Sequence, residues 1–308
     1  MPEGPEVKII TEWLKSICVG KYYMSLFIDI SSKYYKYELT GMKHIKNIQT
    51  LRIDDIICKG KQIFFVLIND QILYDDYNNI YENYNKYYIN STLALEGYWS
   101  LQKQWVKSTG NSHSNLWITL GDKQNNKYEN IFNLYFDDSR HHGNIRILNE
   151  QEYTNKINKD IGPDLLNEEV EWDLYYTKVK NIMDRTRTLT LEDFLLKQNY
   201  FSGIGNYLKS DILYLSRLNP YRNIKSLTDM EIYELYTKSI LIIHEAYNLG
   251  GMTIKSFKNP FNKDNNYKGG YIPYVYGKIY DTNGYKILKT NGQNDTKRTT
   301  YWVQQLQL

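Results

Sequence analysis

The sequence predicts a multi-domain α+β protein, with an N-terminal helix and an antiparallel β-sandwich followed by a helical domain. Three observations support this fold class. Apolar residues recur at helical spacing over residues 5–18, strand-like runs occupy much of residues 22–148, and helical periodicity dominates residues 167–250. At 308 residues, the chain is long enough for about two domains with cores of their own.

The first half is predicted to contain one amphipathic helix and several short strands. The helix has its apolar face at Val7, Ile10, Leu14, Ile17 and Cys18, and Gly20 is its expected stop signal. Strand-like runs lie within 22–65 and at 93–101, 115–120, 131–136 and 144–148. Residues 69–91 are rich in Asn, Tyr and Asp without a clear period, which predicts a long surface loop or a hairpin insertion.

The period changes near Gly162-Pro163, which predicts a domain boundary. Periodic apolar faces beyond it predict helices at 191–198, 207–216 and 229–248. The chain then becomes polar and loop-rich, and it ends in two strand-like runs around 286–288 and 299–303.

The composition is that of an ordinary soluble globular protein, with 42% hydrophobic and 24% charged residues. We find neither a signal peptide nor a run of about 18 apolar residues that would span a membrane. Cys18 and Cys58 are the only cysteines, which favours a reducing compartment and predicts no disulfide framework and no metal site. The net charge of +3 is compatible with nucleic-acid binding but is weak support for it.

The first six residues, Met-Pro-Glu-Gly-Pro-Glu, are a candidate catalytic segment. Removal of Met1 would expose the secondary amine of Pro2, and an α-amino group titrates at roughly 8, so part of it is nucleophilic at neutral pH. Attack of this amine on a sugar carbon gives an iminium, or Schiff base. The carboxylates of Glu3 and Glu6 are close enough in sequence to move protons there. The same residues would also suit an ordinary helix start.

A second candidate segment runs from residue 198 to 211. Gly203 and Gly205 flank a predicted tight turn before a helix, where backbone N–H groups and the positive helix end would favour a phosphate. Asn206 would add a side-chain donor. A plain helix-turn-helix with glycine as a stop signal explains the same residues equally well.

Three further segments are weaker signals when each is taken alone. Lys61 stands at the entry of a predicted buried strand, where an ordinary surface lysine is the commoner case. The Asp-Ser-Arg-His-His-Gly segment at 138–143 is either a turn or a loop that enters nucleic acid. Residues 297–302, Lys-Arg-Thr-Thr-Tyr-Trp, suit a hairpin that contacts phosphate through Arg298, or a plain surface hairpin.

Together, in this order, the five segments resemble the Fpg/Nei family of DNA glycosylase/lyases over nearly the whole chain. The Gly-Ile-Gly-Asn-Tyr-Leu-Lys wording at 203–209 is nearer the Nei (endonuclease VIII) branch. The resemblance implies an N-terminal β-sandwich catalytic domain at 1–160, a helix-two-turn-helix DNA-binding domain at 161–265 and a finger at 266–308.

The resemblance also implies roles for particular residues. Pro2 would attack C1′ of a flipped-out damaged nucleotide, and Glu3 would protonate the sugar ring oxygen. Phosphate would be bound by Lys61, which would also assist elimination, by Asn206, and by Arg298 in the finger turn.

Two loops are implied to fill the vacated base stack, since a base extruded from a duplex leaves a gap. Leu95 stands where the family usually has Met. Arg140 falls on the intercalating-loop arginine. His142 replaces an intercalating Phe, a departure that bears on the opposite-base preference.

The main departure from the family concerns zinc. Zinc-finger members carry cysteines where this chain has Tyr280, Asn283, Val303 and Leu306, and these residues cannot form a soft tetrahedral site. The resemblance therefore implies a zincless finger, held by Tyr and Trp packing, and no metal or other cofactor.

The resulting hypothesis is a bifunctional DNA glycosylase and AP lyase that works through a Pro2 Schiff base with β,δ-elimination. Oxidised pyrimidines and ring-opened purines are the favoured substrates. The alternatives are the same chemistry with 8-oxoguanine as the main substrate, or a non-catalytic helix-two-turn-helix nucleic-acid-binding protein. The expected partner is damaged double-stranded DNA, with single-stranded or bubble DNA left open. We expect an intracellular monomer, located wherever the DNA is, with no membrane association.

Overall fold

A computed structural model describes residues 1–48, 50–69, 73–74, 80–81, 85–102, 114–125, 127–254, 257–262, 268–292 and 298–308. The chain forms two compact units. The first unit comprises Met1–Pro2, Val7–Lys156 and Ile254–Phe261. The second comprises Glu3–Glu6, Ile157–Thr253 and Asn262–Leu308.

The first unit is built on an antiparallel sheet. In chain order, its elements are α1 (Gly4–Cys18), β1 (Tyr22–Ile28), α2 (Lys33–Lys36), β2 (Leu51–Lys59), β3 (Gln62–Asn69), β4 (Leu73–Tyr74), β5 (Ile80–Tyr81), β6 (Lys86–Thr92), β7 (Tyr98–Ser100), β8 (Ser114–Gln124), β9 (Lys127–Asp137) and β10 (Asn144–Asn149). The first three residues of α1 belong to the second unit. Eight of these strands form one sheet, in the order β10-β6-β3-β2-β1-β8-β9-β7. The predicted opening helix is confirmed, and Gly20 follows it with a φ of 84°.

The sheet folds back on itself into two layers. Trp99 on the terminal strand β7 lies 5.1 Å, centroid to centroid, from Phe65 on β3, and the same distance from Phe136. Its indole Nε1 donates to Ser91 Oγ on β6 at 3.1 Å. Because β3 and β6 are not hydrogen-bonded neighbours of β7, these contacts join opposite ends of the sheet across a core. The predicted antiparallel sandwich is therefore confirmed.

Some predicted strands are wrong in extent. The range 22–65 is interrupted after β1 by the short helix α2 and by a 3-10 turn at Met42–His44. Within 93–101 only Tyr98–Ser100 is a strand, because a turn that includes Ala94, with a φ of 49°, precedes it.

The prediction of one long loop at 69–91 is also wrong. Its last part forms β6, which pairs with both β3 and β10 and so lies inside the sheet. Before β6, strands β4 and β5 pair with each other as a separate ribbon, so the hairpin interpretation holds there. Residues 70–72, 75–79 and 82–84 of this segment lie outside the described residues.

Helices dominate the second unit, and a hairpin completes it. Its elements are α4 (Trp172–Arg185), α5 (Leu191–Leu196), α6 (Asn206–Leu215), α7 (Asp229–Asn248), β11 (Leu288–Asn291) and β12 (Thr299–Trp302); helix α3 (Glu150–Lys159) follows β10 and runs across the boundary at residue 157. The three predicted helices are confirmed as α5, α6 and α7, whereas α3 was not predicted. None of the described helices is long and apolar enough to cross a bilayer.

Two apolar clusters hold the second unit together. The larger one joins α4, α5, α6 and α7 through fully buried residues such as Tyr175, Phe194 and Leu208. The smaller one packs Tyr214 of α6 against Val275, Ile287 and Val303 around the C-terminal hairpin. Strands β11 and β12 pair in register from Leu288 opposite Trp302 to Asn291 opposite Thr299, close to the two predicted runs.

Candidate active site

The carboxylate of Glu3 is bound at the N-terminus of α6. Its Oε2 accepts from the backbone N–H of Gly205 at 2.7 Å and of Leu208 at 3.3 Å, and its Oε1 accepts from Tyr207 N–H at 3.0 Å. Glu3 is only 3% exposed. Three N–H donors and the positive end of a helix stabilise negative charge on this buried group. An acidic group is therefore held in a defined position next to Pro2 in the chain.

Glu6 is completely buried and contacts the backbone of Glu3. Its carboxylate accepts from Glu3 N–H at 2.7 Å, from the Tyr207 hydroxyl at 2.8 Å and from Met252 N–H at 2.8 Å. Burial raises the pKa of Glu6, and these donors offset part of that increase. Burial and the Glu6 charge together raise the pKa of Tyr207 well above its usual value. Glu6 therefore supports the backbone that carries Glu3, and its supporting role in catalysis stays a prediction.

The prediction of free N–H groups at Gly203 and Gly205 is wrong, because both groups already donate hydrogen bonds within the protein. Gly205 donates to Glu3, and Gly203 N–H donates to the Gln198 side chain at 3.1 Å. The acidic group at this helix end is supplied by the protein itself. The close approach requires glycine, because a Cβ at position 205 would overlap the Glu3 carboxyl group. DNA contact by these two glycines stays a prediction.

Asn206 and Arg298 both lie at the start of β12, the second strand of the hairpin. The Asn206 side-chain Nδ2 donates to the carbonyl of Thr299 at 2.7 Å, and Arg298 immediately precedes Thr299. Arg298 is exposed, so its guanidinium is accessible to an anion. This hydrogen bond brings Asn206 close to Arg298, so the two residues predicted to contact phosphate lie near each other. Lys297, the first residue of the predicted motif, lies outside the described residues.

A buried ionic group links three elements beside this strand. Lys209 on α6 is fully buried; its Nζ donates to Thr300 Oγ1 at 2.6 Å and lies 3.7 Å from Glu192 Oε2 on α5. The Thr300 hydroxyl in turn donates to Glu192 at 2.5 Å. Burial lowers the pKa of Lys209 to about 8, against the opposing effect of the Glu192 charge. This group joins α5, α6 and β12.

A second buried carboxylate holds the chain that leads to the hairpin. Asp211 accepts from the Tyr271 hydroxyl at 2.8 Å and from the N–H groups of Tyr274 and Val275, each at 3.0 Å. No role was predicted for Lys209 or Asp211. Their signal was a charged residue on the apolar face of a predicted helix, which is unusual unless the charge is paired.

Two predicted catalytic residues lie in the first unit. Pro2 is buried, and it belongs to this unit with Met1. Lys61 occupies the second position of the two-residue turn between β2 and β3, after Gly60, whose φ is 58°. Glycine at the first position suits a type II′ turn, which matches the twist of the flanking strands. Lys61 therefore stands directly at the start of a buried strand, as predicted.

The two loops predicted to fill the base stack meet in the first unit. Arg140 Nε lies 3.2 Å from Glu96 Oε1, and Ser139 Oγ donates to Glu96 Oε2 at 2.7 Å. Leu95, next to Glu96, has 42% of its surface exposed. His142 is exposed in the segment between β9 and β10. Glu96 therefore brings Leu95 into the neighbourhood of Arg140.

The positions of the family's zinc ligands offer no donor set for zinc. Val303 is fully buried in the apolar cluster around Tyr214, and Leu306 packs against it. Tyr280 is 60% exposed, and Asn283 makes a turn with Asp281. Among the residues that the structure describes, no group of three or more His, Cys, Asp or Glu side chains is placed to bind a metal. Apolar packing, with the Trp302 ring edge-on to Tyr221 at 5.7 Å, holds the hairpin.

Comparison with known proteins adds a domain and several relatives. The family model of the formamidopyrimidine-DNA glycosylase H2TH domain matches residues 161–258. The formamidopyrimidine-DNA glycosylase of Lactococcus lactis subsp. cremoris is 25% identical over 83% of this chain and 82% of its own. The protein of that name from Wolbachia sp. subsp. Brugia malayi is 25% identical over 98% of both chains.

Solved structures agree in fold. A structure of MutM in complex with carbocyclic 8-oxo-G containing DNA has a TM-score of 0.72 and 23% identity, covering 99% of each chain. Lactococcus lactis Fpg with an oxidized pyrimidine containing DNA gives 0.72 and 22%, also over 99% of each chain. At these identities the likeness carries the fold alone.

The sandwich, the H2TH helices and the C-terminal hairpin define an Fpg-like fold, in which the Glu3 carboxylate is bound at the start of α6. Residues 161–258 therefore form an H2TH domain, and the chain as a whole is similar to formamidopyrimidine-DNA glycosylases in sequence and to Fpg structures in fold. The relatives described above carry the formamidopyrimidine-DNA glycosylase name, and the Nei-like branch stays a prediction.

Proposed function

We propose that this protein is a bifunctional DNA glycosylase and AP lyase of base excision repair. The observation that carries the proposal is the buried Glu3 carboxylate, held by three N–H groups at the start of α6. It follows Pro2 directly in the chain, so an acid–base group is fixed beside the proposed nucleophile. The relatives' names and the fold support the same reaction class.

In the proposed reaction the secondary amine of Pro2, freed by loss of Met1, forms a bond to the sugar C1′. The glycosidic bond breaks, the base leaves with the bonding electron pair, and the amine loses its proton. The C1′–O4′ bond then breaks as the nitrogen lone pair forms the C=N⁺ double bond, and the ring oxygen takes up a proton delivered through Glu3. The resulting iminium acidifies the C2′ hydrogens, so loss of a proton expels the 3′ phosphate by β-elimination. A second elimination expels the 5′ phosphate. Lys61 and Arg298 bind the phosphates as they leave, since cations stabilise that developing charge.

We infer that oxidised pyrimidines and ring-opened purines are the preferred lesions. The Nei-like wording at 203–209 supports the first class, and the relatives' name, formamidopyrimidine-DNA glycosylase, supports the second. The replacement of an aromatic residue by His142 favours a changed opposite-base preference. Damaged duplex DNA is therefore the proposed partner, with 8-oxoguanine as the competing substrate.

The proposal is tested by borohydride trapping on duplexes that carry one oxidised pyrimidine, one ring-opened purine, 8-oxoguanine or an abasic site. Borohydride reduces an iminium to a stable amine, so the enzyme becomes covalently attached to DNA. We expect adducts that peptide mass mapping places on Pro2, together with loss of Met1. The Pro2→Ala variant should lower excision by about two orders of magnitude or more, because its amine differs in geometry and basicity.

The pattern of adducts distinguishes the proposed function from its alternatives. An adduct with the abasic duplex but none with the pyrimidine lesion would keep the chemistry and reject the substrate. Tight DNA binding without any adduct, especially with Met1 retained, would favour a non-catalytic binding protein instead.

A further inference from the structure

Helix α2 is hydrogen-bonded to the segment between β9 and β10. Lys33, the first residue of α2, donates from Nζ to the carbonyl of His141 at 2.9 Å and to that of Gly143 at 2.5 Å. These carbonyls flank His142 on both sides. Two charge-assisted hydrogen bonds from one ammonium group thus fix the backbone on either side of an exposed imidazole.

Other contacts complete the support of this segment. The Tyr34 hydroxyl accepts from Ile145 N–H at 2.7 Å, and the Asp138 carboxylate accepts from Gly143 N–H at 2.5 Å. The Asn115 side chain donates to the Asp138 carbonyl at 2.8 Å. These bonds define both ends of a loop of residues 138–143, hereafter the 138–143 loop.

The backbone of this loop is strained at its centre. His141 has a φ of 55°, in the left-handed region that residues other than glycine rarely adopt. Such a conformation costs of order 1 kcal/mol or more and persists only where the surroundings hold it. Lys33 binds the carbonyl of this same residue, so it stabilises the strained conformation directly.

The position of Lys33 is defined by the start of α2 and by the Tyr34 ring. It begins α2 after Ser32, whose side chain accepts from Tyr34 N–H and caps the helix. Its ammonium lies 5.1 Å from the Tyr34 ring, and burial lowers its pKa while the nearby Asp138 charge opposes that change. Lys36, three residues further on, is instead exposed. The two lysines carry the same charge on one short helix, but the hydrogen bonds to the loop come from Lys33.

We propose that Lys33 is a positioning residue that preorganises the 138–143 loop, and with it Arg140 and His142, for entry into a DNA duplex. The proposal rests on the glycosylase function proposed above. A loop that fills the gap left by an extruded base must already have its bound shape, since ordering it on binding would cost affinity and rate. Lys33 needs no contact with the reacting atoms for this role.

The distinguishing consequence concerns the structure of the substrate. A single strand has no opposite base and no continuous stack to fill, so the loop should matter for duplex DNA alone. Lys33→Ala is expected to lower kcat/KM on a lesion in duplex DNA by about tenfold, the factor for loss of one or two charge-assisted hydrogen bonds. Excision of the same lesion from a single strand, or strand cleavage at a preformed single-stranded abasic site, should change less than about twofold.

The matched controls are Lys36→Ala and Lys33→Arg. Lys36→Ala removes the same charge from the same helix and should leave the ratio of duplex to single-strand activity near that of the unmodified protein. Lys33→Arg retains several N–H donors and should restore most of the duplex activity. Equal losses in Lys33→Ala and Lys36→Ala would show a general charge effect and overturn the positioning role, as would equal losses on duplex and single strand.

Hydrogen exchange of the free protein tests the anchoring itself without reference to catalysis. Amides of the 138–143 loop should exchange about tenfold faster in Lys33→Ala than in Lys36→Ala, because the loop opens more often. Unchanged exchange would overturn the proposal. If the unmodified protein gave no borohydride adduct, the proposed function would fail, while the exchange comparison would still decide whether Lys33 holds the loop.

Discussion

Glu3 is the residue on which the polar contacts of the candidate site converge. Its carboxylate binds three backbone N–H groups of the α6 start, and its own N–H is bound by Glu6. This arrangement depends on the missing side chain of Gly205. The φ of Gly205 is −127°, which other residues adopt without strain, so space and not backbone conformation requires glycine here.

Gly205→Ala should therefore act through Glu3. We expect the free energy of unfolding to fall by about 1–3 kcal/mol from overpacking, and base excision to fall by at least about tenfold as Glu3 is displaced. Glu3→Asp shortens the side chain, so the double variant should be more stable than the sum of the single changes predicts. Denaturant unfolding of the four proteins measures this coupling, and simple additivity would contradict direct contact between the two positions.

Arg298 is exposed and immediately precedes β12, so its guanidinium is accessible to a DNA phosphate. Arg298→Ala should weaken DNA binding and reduce the salt dependence of affinity by about one phosphate contact. It should also raise the share of β-elimination product over β,δ-elimination product. Lys286→Ala, which removes one charge from an exposed position of the same C-terminal region, is the control and should leave the product ratio unchanged. An unaltered salt slope in Arg298→Ala would argue that this residue faces solvent in the complex.

Among the elements, α7 shows most clearly how local signals define a helix. Thr228 accepts from Glu231 N–H, while the Glu231 side chain accepts from Thr228 N–H at 2.8 Å, which is a complete capping box. Arg222 binds both Glu231 carboxylate oxygens, at 2.6 and 3.1 Å. Thr-x-x-Glu before an apolar period can be recognised in a sequence.

Thr228→Ala should lower the free energy of unfolding by about 1 kcal/mol, the usual cost of losing an N-cap. Thr237 lies within the same helix, so Thr237→Ala makes the same chemical change without touching the cap. It should be neutral or slightly stabilising, since Ala has the higher helix propensity. Thermal and denaturant unfolding compare the two variants, and equal losses would mean that the cap contributes nothing specific.

The contact between α5, α6 and β12 depends on Lys209, and it predicts a pH dependence. The folded-state pKa of about 8 is below the ordinary 10.5, so between these values the unfolded chain binds more protons. Stability should therefore rise with pH across this window, by at most about 1.4 kcal/mol per pH unit from this group. The Lys209→Met variant should lack this rise in the free energy of unfolding between pH 8 and 10.

A second variant, Glu192→Gln, tests the same pairing even if the Lys209→Met variant does not fold. Glu192→Gln removes the charge that favours protonated Lys209, which should shift the rise in stability to lower pH. The same pH profile in Glu192→Gln and in the unmodified protein would contradict the pairing of these two residues.

The whole chain consists of two compact units, and the opening residues are divided between them. Pro2 is counted with the first unit, whereas Glu3–Glu6 make their contacts in the second. Both units have apolar cores of their own, and the C-terminal hairpin packs through Tyr214, Ile287 and Val303. Stability of this hairpin is thus explained by burial of apolar side chains.

Activity should accordingly be insensitive to chelators. Prolonged treatment with a strong zinc chelator should leave excision and unfolding unchanged, and elemental analysis should find less than about one zinc per several chains. A zinc-finger member of the family, treated in parallel, is the positive control. Loss of activity that added zinc restores would overturn the prediction of a zincless finger.

Local patterns in the chain were sufficient for the fold class, the opening helix and the helices α5, α6 and α7. Their periods and turn residues act over a few positions, so each can be recognised without the rest of the molecule. The motifs around Pro2, Asn206, Arg140 and Arg298 were likewise visible as short segments. Strand β6 was missed because its Asn- and Tyr-rich sequence lacks an apolar alternation, and pairing with β3 and β10 overrides that weak preference.

The partners of the functional residues depended on the folded chain. Glu3 meets Gly205 across 202 residues, and Lys33 meets His141 across 108. No periodicity or spacing encodes such a pairing, because it arises from the packing of elements that are remote in sequence. For this reason the α6 N-terminus could be predicted as an anion site from the chain alone, while its occupation by the protein's own Glu3 could not.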